Sequence, residues 1–226
     1  IATFISKNYN EPIDPNIFEK KAEKIISQVE EQYNWMYKTI HNEKEKKDDL
    51  FGDTKNHGKI KYTVWSDVYI CPYCRNEYIY WDVGVDKDSY NNFDSYQCPY
   101  CNAEIKKKEC ERSMNEYFDS ALGKKVKLAK QKPVLINYTY NKERFEKSPS
   151  EKDIKLIKEI NDSEIPFWFP TNELPKGYNT KQPRKSHGIT HVHHFYTKRN
   201  LWIVSAIWNK IKNTNIDALK LLFTSF

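Results

Sequence analysis

Apolar residues recur at three- and four-residue steps from Phe18 through Ala22, Ile25, Val29, Tyr33 and Met36 to Ile40, with Glu and Lys filling the positions between. That spacing lines one face of a helix. Asp14-Pro15 marks its start, because an aspartate cap satisfies an orphan backbone N–H and a proline at the first helical position has none to satisfy. The pattern predicts one structural helix of about 25 residues packed on a core. Residues 42–58 lose the period and carry charge and turn formers, which predicts a linker. From Lys59 the character changes to β-branched and aromatic. Lys59–Trp65, Tyr78–Trp81 and Val134–Tyr140 read as short strands between polar turns. Ser150–Asn161 returns to a helical period. Pro166, Pro170, Pro175 and Pro183 then punctuate a stretch expected to be irregular. A second long helix is predicted to begin near Thr197, with Leu201, Val204, Trp208 and Ile211 on one face.

Within this pattern, Cys71-Pro72-Tyr73-Cys74 and Cys98-Pro99-Tyr100-Cys101 stand out as near-identical knuckles. Two C-x-x-C pairs at this separation supply four thiolates, which suits a tetrahedral zinc ion with Zn–S bonds of about 2.3 Å. The two-residue gap lets each pair turn tightly enough for both sulfurs to reach one metal. A redox pair needs one such motif beside a β-α-β pattern, and disulfides need an oxidising compartment, for which nothing in the sequence argues. With thiolates in all four positions no place is left for water, so the metal is expected to be structural. Cys110 is left over, as a spare thiol or an alternative ligand. The expected fold class is α+β: a long N-terminal helix, a small antiparallel zinc-ribbon-like β module and a C-terminal helical segment, over residues 1–58, 59–145 and 146–226.

Composition narrows the function classes. At 226 residues with a 15% aromatic content, the chain can build a real core. Its longest apolar run, Leu201–Val204, falls far short of the ~20 residues of a membrane span. The first residues lack a basic-then-apolar leader pattern, and a cytoplasmic protein is expected. Its six glycines never approach within three positions of one another, and none has the G-x-x-x-x-G-K spacing. Neither the dinucleotide fingerprint nor the phosphate-cradling loop is therefore present. The chain opens Ile1-Ala2-Thr3-Phe4-Ile5 and closes Leu221-Leu222-Phe223-Thr224-Ser225-Phe226. Apolar segments at both ends suggest elements cut from a larger core, the alternative being a small domain whose terminal elements pack on each other.

Charge is uneven. The net charge is +6, yet Leu174–Ile216 alone holds eight basic residues (Lys176, Lys181, Arg184, Lys185, Lys198, Arg199, Lys210 and Lys212) and no acid. The same stretch carries His187, His191, His193 and His194, with Tyr178, Phe195, Tyr196 and Trp202 interleaved. Basic charge with aromatics suits a phosphate backbone and unstacked bases; the competing reading is a solvated cationic face. Thr197-Lys198-Arg199-Asn200 would open a helix, where N–H groups also favour phosphate. In a strand, His191 and His193 would share a face as in metallonucleases, but the segment lacks the carboxylates such a site uses. Buried or DNA-facing histidines are expected instead.

Three stretches together resemble a known family. Ile1–Asn10, Val64-Trp65-Ser66-Asp67 leading into the first knuckle, and Gly177–Thr180 through His187–Thr190 to Phe195–Leu201 resemble bacterial DNA methyltransferases of adenine N6 or cytosine N4, of the large kind with a cysteine-knuckle insertion. The first looks like the segment after the acidic residue and N-P pair that follow the cofactor-binding strand, the second like the entry to the insertion, and the third like the basic stretch that closes it. The family's F-x-G-x-G loop for S-adenosylmethionine and its D/N-P-P-Y/F tetrapeptide are both absent: the sequence has no Gly-x-Gly and no Pro-Pro. The resemblance therefore implies an internal segment, with S-adenosylmethionine bound only by the full-length parent, and no catalytic or cofactor-binding residue is carried over. It implies that residues 1–58 edge the methyltransferase core. Its partners would be the remainder of that chain and DNA. Phosphate contacts would come from Arg184, Lys185, His187, Lys198 and Arg199, with Tyr178 or Phe195 stacking on displaced bases. Restriction-modification is the setting implied. Two other readings stay open: a free-standing zinc-ribbon adaptor for nucleic acid or protein, and a histidine-metal nuclease.

Overall fold

The computed structural model describes residues 2–11, 13–41 and 56–223. The fold is α+β. Its helices are α1 (Ala2–Asn10), α2 (Pro15–Tyr33), α3 (Tyr80–Gly84), α4 (Glu151–Asp162), α5 (Tyr178–His187), α6 (Lys198–Ile211) and α7 (Asp217–Phe223). The strands are β1 (Lys38–Ile40), β2 (His57–Ile70), β3 (Glu77–Ile79), β4 (Tyr96–Gln97), β5 (Glu104–Ile105), β6 (Glu111–Arg112), β7 (Met114–Asp119), β8 (Lys124–Ala129), β9 (Gln131–Tyr140) and β10 (Glu143–Lys147). Among the described residues no helix is long and apolar enough to cross a membrane.

Two compact units result, each assembled from separated stretches: Ile1–Lys38, Ile154–Pro170 and Tyr196–Phe226 in one, Thr39–Asp153 and Thr171–Phe195 in the other. Three consecutive segments were expected. The described residues 39–41, 56–58 and 146–153 belong to the β unit, and so do residues 171–195, which meet β8 through α5 and the end of β7 through His193 and His194.

The first unit is helical. Asp14 caps α2, its carboxylate accepting from Asn16 N–H at 2.8 Å with Pro15 following. The expected stripe buries Ile25, Val29 and Tyr33. They pack with Ile160 of α4 and Trp202 and Ala206 of α6, and lower down with Ile211 and Leu219. Each such side chain removed from water contributes about 1.5–3 kcal/mol. The helix is shorter than its apolar period. It ends at Tyr33, and a 3₁₀ turn over Asn34–Tyr37 swings fully buried Met36 into the same core before β1 begins. Thr197 caps α6, its hydroxyl accepting from Asn200 N–H at 3.4 Å.

The second unit is built on β2, which pairs antiparallel with β9 along most of its length, with irregularities between Ile60 and Tyr62 and between Val64 and Trp65. The second irregularity accommodates Pro133, which has no N–H to give the ladder. A two-residue turn, Asn141-Lys142, joins β9 to β10, and both residues hold the positive φ that such hairpins require. The far end of β2 pairs with β3 and β6. Of the expected linker, residues 42–55 lie outside the described residues, whereas His57 and Gly58 already belong to β2. Tyr80 and Trp81, expected in a strand, start the short helix α3. Pro183, expected to break structure, sits inside α5 although it lacks the N–H that would bond back to Asn179.

Candidate metal centre

Strand β2 ends at Ile70 and delivers Cys71; β4 ends at Gln97 and delivers Cys98. Each knuckle then closes the same way. Cys71 N–H donates to Asn76 O at 3.0 Å and Arg75 N–H to Cys71 O at 3.0 Å, while Cys98 N–H donates to Ala103 O at 2.9 Å and Asn102 N–H to Cys98 O at 3.0 Å. The residue after the second cysteine is left-handed in both, Arg75 at φ 62° and Asn102 at φ 57°. One local geometry is thus written twice. It turns the four sulfurs inward.

Cys71 Sγ lies 3.8 Å from Cys101 Sγ, and Cys74 Sγ lies 3.8 Å from Cys98 Sγ. A tetrahedral ion with metal–sulfur bonds of about 2.3 Å has edges of about 3.8 Å. The four sulfurs are mutually close, none of the five cysteines is in a disulfide, and the cluster is compatible with a structural metal site. Beneath it Tyr69, Tyr78, Tyr80, Tyr96 and Ile105 form a buried floor with Cys71 and Cys98, and Tyr78 Oη lies 3.0 Å from Tyr96 Oη.

Electrostatics point the same way. Burial disfavours the Cys71 thiolate, but the N–H groups of Cys74 and Tyr73 and the neighbouring thiols outweigh it and bring its pKa down to about 7. The Ala103 N–H favours the Cys101 thiolate, yet burial and the three other sulfurs push this thiol up to about 12. Four crowded sulfurs cannot all ionise unaided, and a bound cation reverses that repulsion. Cys110 stands outside the quartet; its thiol donates to Lys106 O at 3.5 Å.

His191, His193 and His194 are buried, one of the two placements expected, and they do not form the strand that a metallonuclease-like pair would need. His191 makes an isolated bridge to Glu173, and Val192–Phe195 form a 3₁₀ turn that buries His193 and His194. Both turn their Nε2 atoms to one carboxylate oxygen: Asp119 Oδ2 is 2.8 Å from His193 and 3.0 Å from His194. The basic segment has no acid of its own, but the fold supplies one from the end of β7. Sequence reasoning missed Asp119, whose only local signal was turn chemistry: its Oδ1 accepts from Ala121 N–H at 3.0 Å and Leu122 N–H at 3.3 Å.

The residues expected to contact DNA fall into two groups. Arg184, Lys185 and His187 occupy the last turn of α5, and Lys198 and Arg199 the first turn of α6. Several are engaged within the protein. Arg184 donates to Leu174 O at 2.6 Å and pairs with Glu173, the acid just before the acid-free stretch, at 3.3 Å. His187 Nε2 is 3.6 Å from Asp67. Lys198 donates to Asn161 O at 2.9 Å, and the Arg199 guanidinium lies 5.3 Å from the centre of the Tyr37 ring. Lys185 is exposed. So are Lys176, Lys181 and Tyr178, the last at 94%. Tyr178, Lys181 and Lys185 are spaced to share one face of α5.

No family model, no curated protein and no solved structure matches this chain.

Proposed function

We propose that the chain is an internal segment of an S-adenosylmethionine-dependent DNA methyltransferase acting on an exocyclic amino group, in which it supplies a structural zinc module and a basic DNA-contacting surface. The observation that carries the metal is the 3.8 Å separation between sulfurs of opposite knuckles. A four-thiolate tetrahedron selects a soft-to-borderline ion, and zinc meets that geometry without redox chemistry. Zinc here fixes two otherwise weak strand pairs, β3 on β2 and β4 on β5, in one ribbon.

DNA binding rests on α5. Exposed Tyr178, Lys181 and Lys185 present two ammonium groups beside an aromatic ring, and exposed Lys176 precedes them. Lysines neutralise phosphates and the ring can stack on an unpaired base. The capped first turn of α6 adds backbone N–H groups that suit phosphate. Methyl transfer itself belongs to groups this sequence lacks, the glycine loop and the proline-proline tetrapeptide. The segment's task is to hold DNA while another part of the polypeptide acts on a flipped base.

The test is the genomic reading frame and the activity of its product. A frame that encodes F-x-G-x-G before residue 1 and D/N-P-P-Y/F after residue 226, and whose full product transfers methyl groups to DNA, is the expected result. A frame that starts and stops at these boundaries would leave a zinc-ribbon adaptor.

A further inference from the structure

A second set of donor atoms lies in the β-module unit, separate from the four sulfurs. Asp119, His193 and His194 are all buried, with side-chain exposures of 6%, 8% and 1%, and their ligand atoms converge. Asp119 Oδ2 stands 2.8 and 3.0 Å from the two Nε2 atoms, and the imidazole centroids are 4.3 Å apart. Neighbouring ligands on a tetrahedral ion with bonds of about 2.1 Å are about 3.4 Å apart. The two Oδ2–Nε2 distances are about half an ångström shorter than that, so a small retreat of Asp119 Oδ2 from the two rings brings both pairs to the spacing of adjacent coordination positions.

The surroundings hold them there. Asp119 Oδ1 is tied to the Ala121 and Leu122 N–H groups of the β7–β8 turn, which leaves Oδ2 facing the histidines. The histidines ride on one tight turn closed by His194 N–H donating to His191 O at 3.1 Å. Among the described residues Asp119 has no lysine or arginine in ion-pair range. A buried carboxylate is held by hydrogen bonds or by positive charge; here two backbone N–H groups serve Oδ1 and two imidazoles serve Oδ2, where a cation would sit between the same three atoms. Residue 190 orients the rings from the other side: Thr190 Oγ1 is 2.8 Å from His191 Nδ1 and 3.5 Å from His194 Nδ1, and the Thr190 N–H donates to His194 Nδ1 at 3.4 Å.

We propose that Asp119, His193 and His194 form a second, mononuclear site for a divalent transition-metal ion of the zinc and cobalt class. Two imidazoles exclude magnesium and calcium, which prefer oxygen throughout. Three protein ligands leave at least one position for water or a substrate atom, unlike the closed sulfur site. The proposal is independent of the methyltransferase reading.

Cobalt(II) titration of the reduced, metal-free full chain, followed by absorption and elemental analysis, tests it. Two equivalents should bind. One develops the intense sulfur-to-cobalt charge-transfer band; the other adds only the weak ligand-field bands of nitrogen and oxygen ligation. In Asp119→Asn and His193→Gln the second equivalent should be weakened at least tenfold, while the sulfur band develops in full and reports a folded ribbon. Saturation of the unsubstituted chain at one equivalent overturns the proposal whatever the variants do, and leaves the three residues as a hydrogen-bonded network. A second equivalent that survives both substitutions overturns it as well.

Discussion

Cys71 Sγ and Cys101 Sγ are 3.8 Å apart although 30 residues separate them, so the sulfur cluster joins one knuckle to the other as well as closing each upon itself. Removing one ligand therefore opens the ribbon. A structural zinc contributes about 10–16 kcal/mol of apparent binding free energy, which is also folding free energy. Cys98→Ser should lose the bound metal and the near-ultraviolet signal of the Tyr69, Tyr78, Tyr80 and Tyr96 floor. Cys110→Ser should keep both. An intact tyrosine signal in metal-free Cys98→Ser would refute the structural role.

The sulfur site was legible because its geometry is local: two residues between cysteines set the reach, and the sequence repeats them. The start of α2 at Asp14-Pro15 and of α6 at Thr197 were legible for the same reason, since caps act over three residues. What escaped depends on tertiary partners. The apolar period runs on past Tyr33, but Met36 reaches the core from a 3₁₀ turn, and spacing does not distinguish the two. Asp119 could not be assigned to the histidines because 74 residues separate it from His193; only the packing of residues 171–195 on β7–β8 joins them. Pro183 in α5 shows that a breaker is tolerated where the following turn is secured.

Gly188 secures that turn. It ends α5 at φ 72°, and its N–H donates to Arg184 O at 3.1 Å. A Cβ there would stand 2.1 Å from Lys127 O, a backbone atom of β8. Gly188→Ala combines a left-handed backbone with a clash that no side-chain rotation relieves. Its expected cost is about 1–3 kcal/mol in denaturant unfolding. A change below about 0.5 kcal/mol would mean that the segment does not approach β8 so closely.

Asp153 should dominate the acid limb of stability. Burial raises its pKa, but Thr39 Oγ1 at 2.6 Å, the Ser150 N–H at 2.9 Å and hydroxyl at 2.8 Å, and the Lys147 ammonium at 3.0 Å overcome this and hold it below the usual carboxylate range. A depressed folded-state pKa adds stability that is complete above the unfolded value of about 3.9 and is lost as pH falls through the folded value. Asp153→Asn should flatten that acid loss and lower stability near neutrality by about 2–4 kcal/mol, because Lys147 keeps its charge without its partner. Urea midpoints measured from pH 3 to 7 decide it; parallel curves for the two proteins would show that other carboxylates carry the acid limb.

Arg184 and the two lysines of α5 should separate in DNA binding. Lys181 and Lys185 are exposed on one face with Tyr178, so each charge removed should lower the slope of log K against log salt by about 0.7–0.9 and weaken binding alike for all sequences. Tyr178→Ala should weaken single-stranded DNA by about 1–3 kcal/mol, more than duplex. Arg184 behaves differently because its guanidinium already serves Glu173 and Leu174 O. Arg184→Ala should lower the unfolding midpoint more than it alters the salt slope. Fluorescence anisotropy at several salt concentrations distinguishes these cases. Equal slopes for the unsubstituted chain and Lys181→Ala/Lys185→Ala would show that α5 is a solvated face, and would withdraw the DNA surface from the proposed function.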